Sequence, residues 1–237
     1  MARLALPSHR DPMSQFVFPP SRPASVAVEG SDLRFPVRRI FCVGRNYAEH
    51  VREMGGTPFE EPPFFFTKPA DAVVDSGARI AYPPATADLH HEAELVVALG
   101  GGGQALDTAA ARQLIWGYAA GNDLTRRDLQ AAAKASRRPW DMAKGFDCSA
   151  VVGPLRRGEL SDGAIRCHVD GRLTQEARLS DMIWPVDAII AHLSGLVSLA
   201  AGDLIFTGTP AGVGPIAAGQ SCTVEIDGLQ PAIVTLV

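Results

Sequence analysis

The run Leu89-His90-His91-Glu92-Ala93-Glu94-Leu95-Val96-Val97-Ala98-Leu99 constrains this chain more than any other stretch. Its right half alternates with period two. Glu92, Glu94, Val96 and Ala98 fall on one face of a strand, and Ala93, Leu95, Val97 and Leu99 on the other. Two carboxylates at i and i+2 project the same way, roughly 6 to 7 Å apart on a strand rising about 3.3 Å per residue. Apolar neighbours on both sides predict at least partial burial. Like charges held that close in low dielectric raise one pKa unless a cation stands between them, and a divalent metal resolves the conflict. The pattern alone also admits an exposed edge strand whose acidic face is solvated.

The 237 residues suffice for one large domain with a substantial core. Twenty-two basic against 26 acidic residues give a net charge of −4, which offers no basic field to nucleic acid. No apolar run reaches the roughly 18 residues of a membrane span, and the first ten residues hold no signal-peptide core. A soluble, cytoplasmic protein is the expectation. Cys42, Cys148, Cys167 and Cys222 lack C-x-x-C spacing and read as reduced, mostly buried thiols.

Residues 1–35 carry Pro7, Pro12, Pro19, Pro20 and Pro23 and read as a proline-rich arm ahead of a domain at 36–237. Arg38 to Val43 reads as a strand running into Gly44-Arg45-Asn46-Tyr47 and a short helix, Ala48 to Met54. On that helix His50 and Glu53, three apart, share a face. A carboxylate beside an imidazole orients it and raises its basicity, as a water-activating base requires; a weak surface pair has the same spacing. Gly55 to Pro63 reads as a mobile loop or lid. Phe64 to Pro69 is a strand ending in Lys68, placed either to meet an anionic substrate or to be solvated.

Asp107 to Trp116 reads as a helix, Gly117 to Asn122 as a strand of small residues with Asp123 at its end. An aspartate there is placed to complete a three-carboxylate oxygen site, or simply to serve a turn. Thr125 and Asp128 have capping-box spacing, which predicts a helix from Thr125 to about Ala135 with Arg127 and Gln130 near its start. Lys144, in apolar company, is a candidate desolvated cation or a snorkelling surface lysine. Hairpins are predicted at Asp170-Gly171 and Asp227-Gly228, an amphipathic helix from Pro185 to Ala200, and a buried strand Asp203 to Phe206 that delivers Thr207-Gly208-Thr209-Pro210-Ala211-Gly212-Val213-Gly214.

Taken together, Gly44 to His50, Pro63 to Pro69, His90 to Leu95, Gly121 to Asp128, Lys144-Gly145-Phe146 and Thr207 to Gly214 resemble the fumarylacetoacetate hydrolase family, in order, from about residue 36 to the C-terminus. The resemblance implies a mainly β fold with short helices (α+β), a mixed β-sandwich roll of that family's C-terminal-domain type, and a homodimer. It implies Mg²⁺ or Mn²⁺ held by Glu92, Glu94 and Asp123. His50 and Glu53 become the water-activating pair on a lid helix and Lys144 a catalytic cation. Arg45, Lys68, Arg127, Gln130 and Thr209 become substrate-binding residues. Within the family the chain looks most like the short acylpyruvate hydrolases, which implies cleavage of a 2,4-dioxo acid, fumarylpyruvate to fumarate and pyruvate, in gentisate-type aromatic degradation. Oxaloacetate decarboxylation, or isomerisation or decarboxylation of a homoprotocatechuate-pathway diacid, is the alternative on the same scaffold. A non-catalytic metal- or acid-binding β protein is the remaining reading.

Overall fold

The computed structural model describes residues 16–58 and 62–237. Part of the expected arm, residues 1–15, and residues 59–61 of the expected lid loop lie outside them. Strand Ala93–Leu99, buried along its whole length, is the centre of the larger sheet. It pairs antiparallel with Ile115–Asp123 on one side and Asp203–Phe206 on the other. Beyond Asp203–Phe206 come Arg39–Gly44, parallel to it, and the edge strand Phe64–Lys68. On the opposite side, Ala150–Val152 and Val73–Asp75 complete the path.

A five-stranded sheet, ordered Arg172–Arg178, Ala164–Val169, Ser221–Ile226, Ala232–Leu236 and Ala78–Ile80, packs against one face. Period-two alternation explains the two cores that result. Leu95, Val97 and Leu99 meet Ile165, Val224 and Val234, together with Ile189, Ile190 and Leu193 of helix Val186–Leu196. Val96, Ala98, Ile40, Cys42, Leu204 and Phe206 point the other way, beneath Val26 and Phe35. The mainly β roll with short helices is therefore what forms.

Four local readings change. The expected helix Asp107 to Trp116 is Thr108–Gln113, because Ile115 and Trp116 join the strand that pairs with Ala93–Leu99. The latter part of the expected arm is a hairpin, Ser25–Val28 with Ser31–Pro36, because Val26 and Phe35 have apolar surface to cover and Asp75 Oδ1 accepts the Ala27 amide at 3.0 Å. Helix Arg127–Ala135 begins two residues after Thr125 and lacks the capping box. The Asp128 carboxylate instead accepts from Thr86 Oγ1 at 2.7 Å and Ala87 N at 2.9 Å, while Thr125 turns inward. Helix Val186–Leu196 stops short of Ala200 because Leu199 leaves to bridge with Gly103. Among the described residues no helix is long and apolar enough to cross a membrane.

Candidate active site

Glu92, Glu94 and Asp123 converge. One carboxylate oxygen from each lies within 4.8 Å of the others, and all three residues are buried. The pairing of the two strands explains this: Ala93 sits opposite Asn122 in the register, so the residues flanking each face one another at the strand ends. Asn122 Oδ1 accepts the Glu92 amide at 3.0 Å, and the Asp123 amide donates to the Glu92 carbonyl at 2.9 Å, locking the corner.

Lys144 Nζ donates to Glu92 Oε2 at 2.7 Å, Asp123 Oδ2 at 2.8 Å and Thr125 Oγ1 at 2.7 Å. Arg127 Nη2 reaches Glu92 Oε1 at 2.6 Å, and its Nη1 donates to Gln130 Oε1 at 2.7 Å. Burial works against ionised Glu92, but Lys144 and Arg127 hold it well below the usual carboxylate range. Burial likewise opposes charge on Lys144, and Asp123 with Glu92 outweigh it, so the ammonium is held more firmly than usual. Glu94 differs. Burial, then Asp123 and Glu92, push it well above the usual range, and Gly208 N–H at 2.8 Å is its hydrogen-bond donor.

This arrangement fits a divalent ion. Each carboxylate offers about four lone-pair sites, so Glu92 and Asp123 keep acceptor capacity beyond their cation contacts. Asp123 Oδ1 lies 2.7 Å from Lys68 Nζ, but off the axis for a hydrogen bond, and it is a buried oxygen without a donor. Hard oxygen donors alone in the cluster suit Mg²⁺ or Mn²⁺ rather than a softer metal.

His50 and Glu53 lie on helix Ala48–Glu53, with His50 Nδ1 and Glu53 Oε2 3.0 Å apart. When Nδ1 carries the proton toward Glu53, Nε2 is left as the basic nitrogen. Gly212 N–H, at 3.1 Å from Glu53 Oε1, fixes that carboxylate. The loop from Thr207 to Gly214 thus supplies two backbone donors, one to Glu94 and one to Glu53. Both donors need glycine: φ is +96° at Gly208 and +93° at Gly212, and a Cβ on Gly212 would lie 2.2 Å from the Thr174 carbonyl.

His50, Arg45, Arg127, Gln130, Lys144 and Thr209 line one narrow cleft with Glu92 and Glu94. A wider groove bounded by Arg112, Tyr118, Asp162 and Asp187 contains none of them. Lys68, expected as a substrate contact, does not line the cleft. Its side chain is fully buried behind Asp123, donating to the carbonyls of Leu124 and Lys144, so it braces the acidic corner from behind.

Sequence reasoning missed three buried residues. Thr125 grips Lys144, and its T-x-x-D spacing imitated a cap. Asn46 donates to the Thr207 and Trp184 carbonyls at 2.8 and 3.1 Å and accepts from Trp184 N at 2.7 Å, tying the approach to the His50 helix to the glycine loop. Gln175 accepts from Ala93 N and faces His91 Nδ1 through Oε1, and donates to Thr209 Oγ1 and the Pro210 carbonyl at 2.8 Å. With its acceptor side taken by Gln175, the Thr209 hydroxyl keeps its proton for the cleft. Gln175→Leu strands the Ala93 donor in an apolar site and is expected to cost about 2–4 kcal/mol, read from the denaturant midpoint.

A buried carboxylate trio suited to a divalent ion, two of whose members share a cleft with an oriented imidazole, is an arrangement for metal-assisted acid–base chemistry. The comparisons with known proteins agree. The fumarylacetoacetate (FAA) hydrolase C-terminal model matches residues 39–237, and the chain belongs to that family. A Pseudomonas aeruginosa fumarylpyruvate hydrolase, solved with Mn²⁺ and pyruvate, superposes with a TM-score of 0.91 at 46% identity, covering 94% of this chain and 99% of that one. A fumarylpyruvate hydrolase of a Ralstonia species is 43% identical over 180 residues, 74% of this chain and 93% of that protein. A mitochondrial oxaloacetate tautomerase of Mus musculus is 42% identical over 196 residues, 81% and 88% respectively.

Proposed function

We propose that this enzyme hydrolyses the carbon–carbon bond of an acylpyruvate, fumarylpyruvate being the substrate and fumarate and pyruvate the products. The observation that carries the reading is the His50–Glu53 pair, whose Nδ1 and Oε2 atoms stand 3.0 Å apart in the cleft that Glu92 and Glu94 also line. Decarboxylation of oxaloacetate requires neither added water nor a base, so an oriented base favours hydrolysis over it; tautomerisation also uses a base, and relative rates on the two substrates separate it from hydrolysis. Charge suits either dianion. Three carboxylates face Lys68, Lys144 and Arg127, so a bound divalent ion leaves a surplus of positive charge suited to a dianionic acid.

In this mechanism Glu92, Glu94 and Asp123 would hold the ion, which when bound would supply Lewis-acid stabilisation of negative charge on the substrate's oxygens. His50 Nε2 takes a proton from water as the water oxygen bonds to the 4-keto carbon, while Glu53 holds the ring and steadies the imidazolium. The bond between carbons 3 and 4 then breaks, its electron pair passing to carbon 3 as the enolate of pyruvate. Lys144, with its ammonium anchored by Thr125, stabilises that developing negative charge. The imidazolium returns the proton to carbon 3. Thr209, Arg127 and Gln130 grip the acid's oxygens. The same reading carries a homodimer active in aromatic-acid degradation in the cytoplasm.

The second reading, oxaloacetate as substrate, is favoured by the 42%-identical tautomerase and by a 39%-identical mitochondrial oxaloacetate decarboxylase of Dictyostelium discoideum. Initial rates with Mn²⁺ on fumarylpyruvate, followed by loss of enol absorbance, and on oxaloacetate separate them. A higher kcat/KM for fumarylpyruvate is expected; a higher value for oxaloacetate contradicts the hydrolase, whether or not it survives His50→Ala.

A further inference from the structure

Helix Arg127–Ala135 presents Arg127, Gln130 and Lys134 at i, i+3 and i+7, on one face, and all three line the cleft. Arg127, at the near end, donates to Glu92 and to Gln130. Lys134 stands about 10 Å farther along the axis at a rise of 1.5 Å per residue, away from the acidic corner. Its ammonium lies 5.1 Å from the centre of the Trp140 ring. Among the described residues no carboxylate pairs with it. Burial, then Arg127 and Arg45, lower its affinity for a proton. Glu92 offsets those cations only in part, so this half-buried ammonium over an aromatic face is electrostatically incomplete, and an anion in the cleft completes it.

We propose that Lys134 binds the distal carboxylate of a dicarboxylic acylpyruvate and so selects diacids over acyl tails that end in a methyl group. This rests on the acylpyruvate hydrolase reading above. The keto acid end of the substrate lies at Glu92, Glu94 and Asp123, and the acyl chain runs along the helix face past Gln130 toward Trp140 and Lys134. Fumarylpyruvate carries its second carboxylate at the far end of that chain. Acetylpyruvate shares the reacting atoms and lacks that carboxylate. Oxaloacetate has two carboxylates, but too close together to reach from the acidic corner to Lys134.

The test is the selectivity ratio, kcat/KM for fumarylpyruvate divided by kcat/KM for acetylpyruvate, in the Mn²⁺-loaded full chain. A charge-assisted hydrogen bond of ordinary strength corresponds to about a 10- to 100-fold effect. Lys134→Met is expected to lower the ratio at least tenfold, chiefly by raising KM for the diacid, and Lys134→Arg to restore most of it. A ratio that falls less than tenfold in Lys134→Met, including a parallel loss on both substrates, overturns the assignment while leaving the hydrolase reading intact. Should Lys134→Met fail to fold, Lys134→Gln is read by the same criterion. If the native enzyme hydrolyses neither acylpyruvate, the hydrolase reading fails and the Lys134 assignment falls with it.

Discussion

His50→Ala is expected to lower kcat for acylpyruvate hydrolysis by about 10²–10⁴-fold, the contribution of a well-placed general base, with KM changed far less. The reason is division of labour within the cleft. Arg127, Gln130, Thr209 and Lys144 contact the bound acid in the proposed mechanism, whereas His50 acts on water, so its loss removes chemistry rather than binding. Glu53→Gln weakens the same step less, because an amide oxygen still accepts from His50 Nδ1 but carries no charge to stabilise the imidazolium. Stopped-flow and steady-state rates on both variants check the order. Equal rates for native protein and His50→Ala would remove His50 from the reaction.

The second large effect separates two ligands that sequence alone treats alike. Glu94→Gln and Asp123→Asn should each cost several kcal/mol of transition-state stabilisation, about 10²–10⁴-fold in kcat/KM, by disabling the ion site. Their effects on folding should diverge. Asp123 is in contact with Lys68 and Lys144, both buried, and removing its charge leaves Lys68 with backbone carbonyls alone and Lys144 with Glu92 as its one carboxylate, at a cost of about 3–5 kcal/mol. Glu94 has a backbone amide as its donor and is pushed up by burial and by its acidic neighbours, so an uncharged side chain suits the metal-free fold better than the carboxylate does. Because the folded state binds that proton more tightly than the unfolded chain, metal-free stability falls as pH rises above the ordinary carboxylate range. Glu94→Gln removes that decline. Urea midpoints of the chelated proteins, compared at acid and neutral pH, test the contrast.

The acidic centre was legible in part, because some of its information is short-range. Backbone period sets Glu92 and Glu94 on one face of a strand and puts Asp123 at a strand end, but it also admits a solvated edge and a turn aspartate; the family resemblance is what joins the three. The His50–Glu53 spacing is local in the same way, and the resemblance is what separates it from a surface pair. What supports these groups was hidden because it crosses the chain. Gln175 lies 82 positions from Ala93, and nothing in Arg172–Arg178 sets its amide apart from any hairpin polar residue. Thr125 was masked by a spacing that normally caps a helix, and the partner that overrides the cap, Lys144, is 19 positions away. Lys68 shows the reverse error: a lysine at a strand end reads as meeting substrate or solvent until Asp123 is found beside it. The hairpin at Ser25–Pro36 was obscured by prolines that lie ahead of it and leave its own alternation intact.

Calorimetric titration of Mn²⁺ into the metal-free protein tests most directly whether these three acids form one ion site. One ion per chain is predicted for the native protein, with binding lost in Glu94→Gln even though that variant stays folded. Undiminished binding by Glu94→Gln, or none by the native chain, would contradict it.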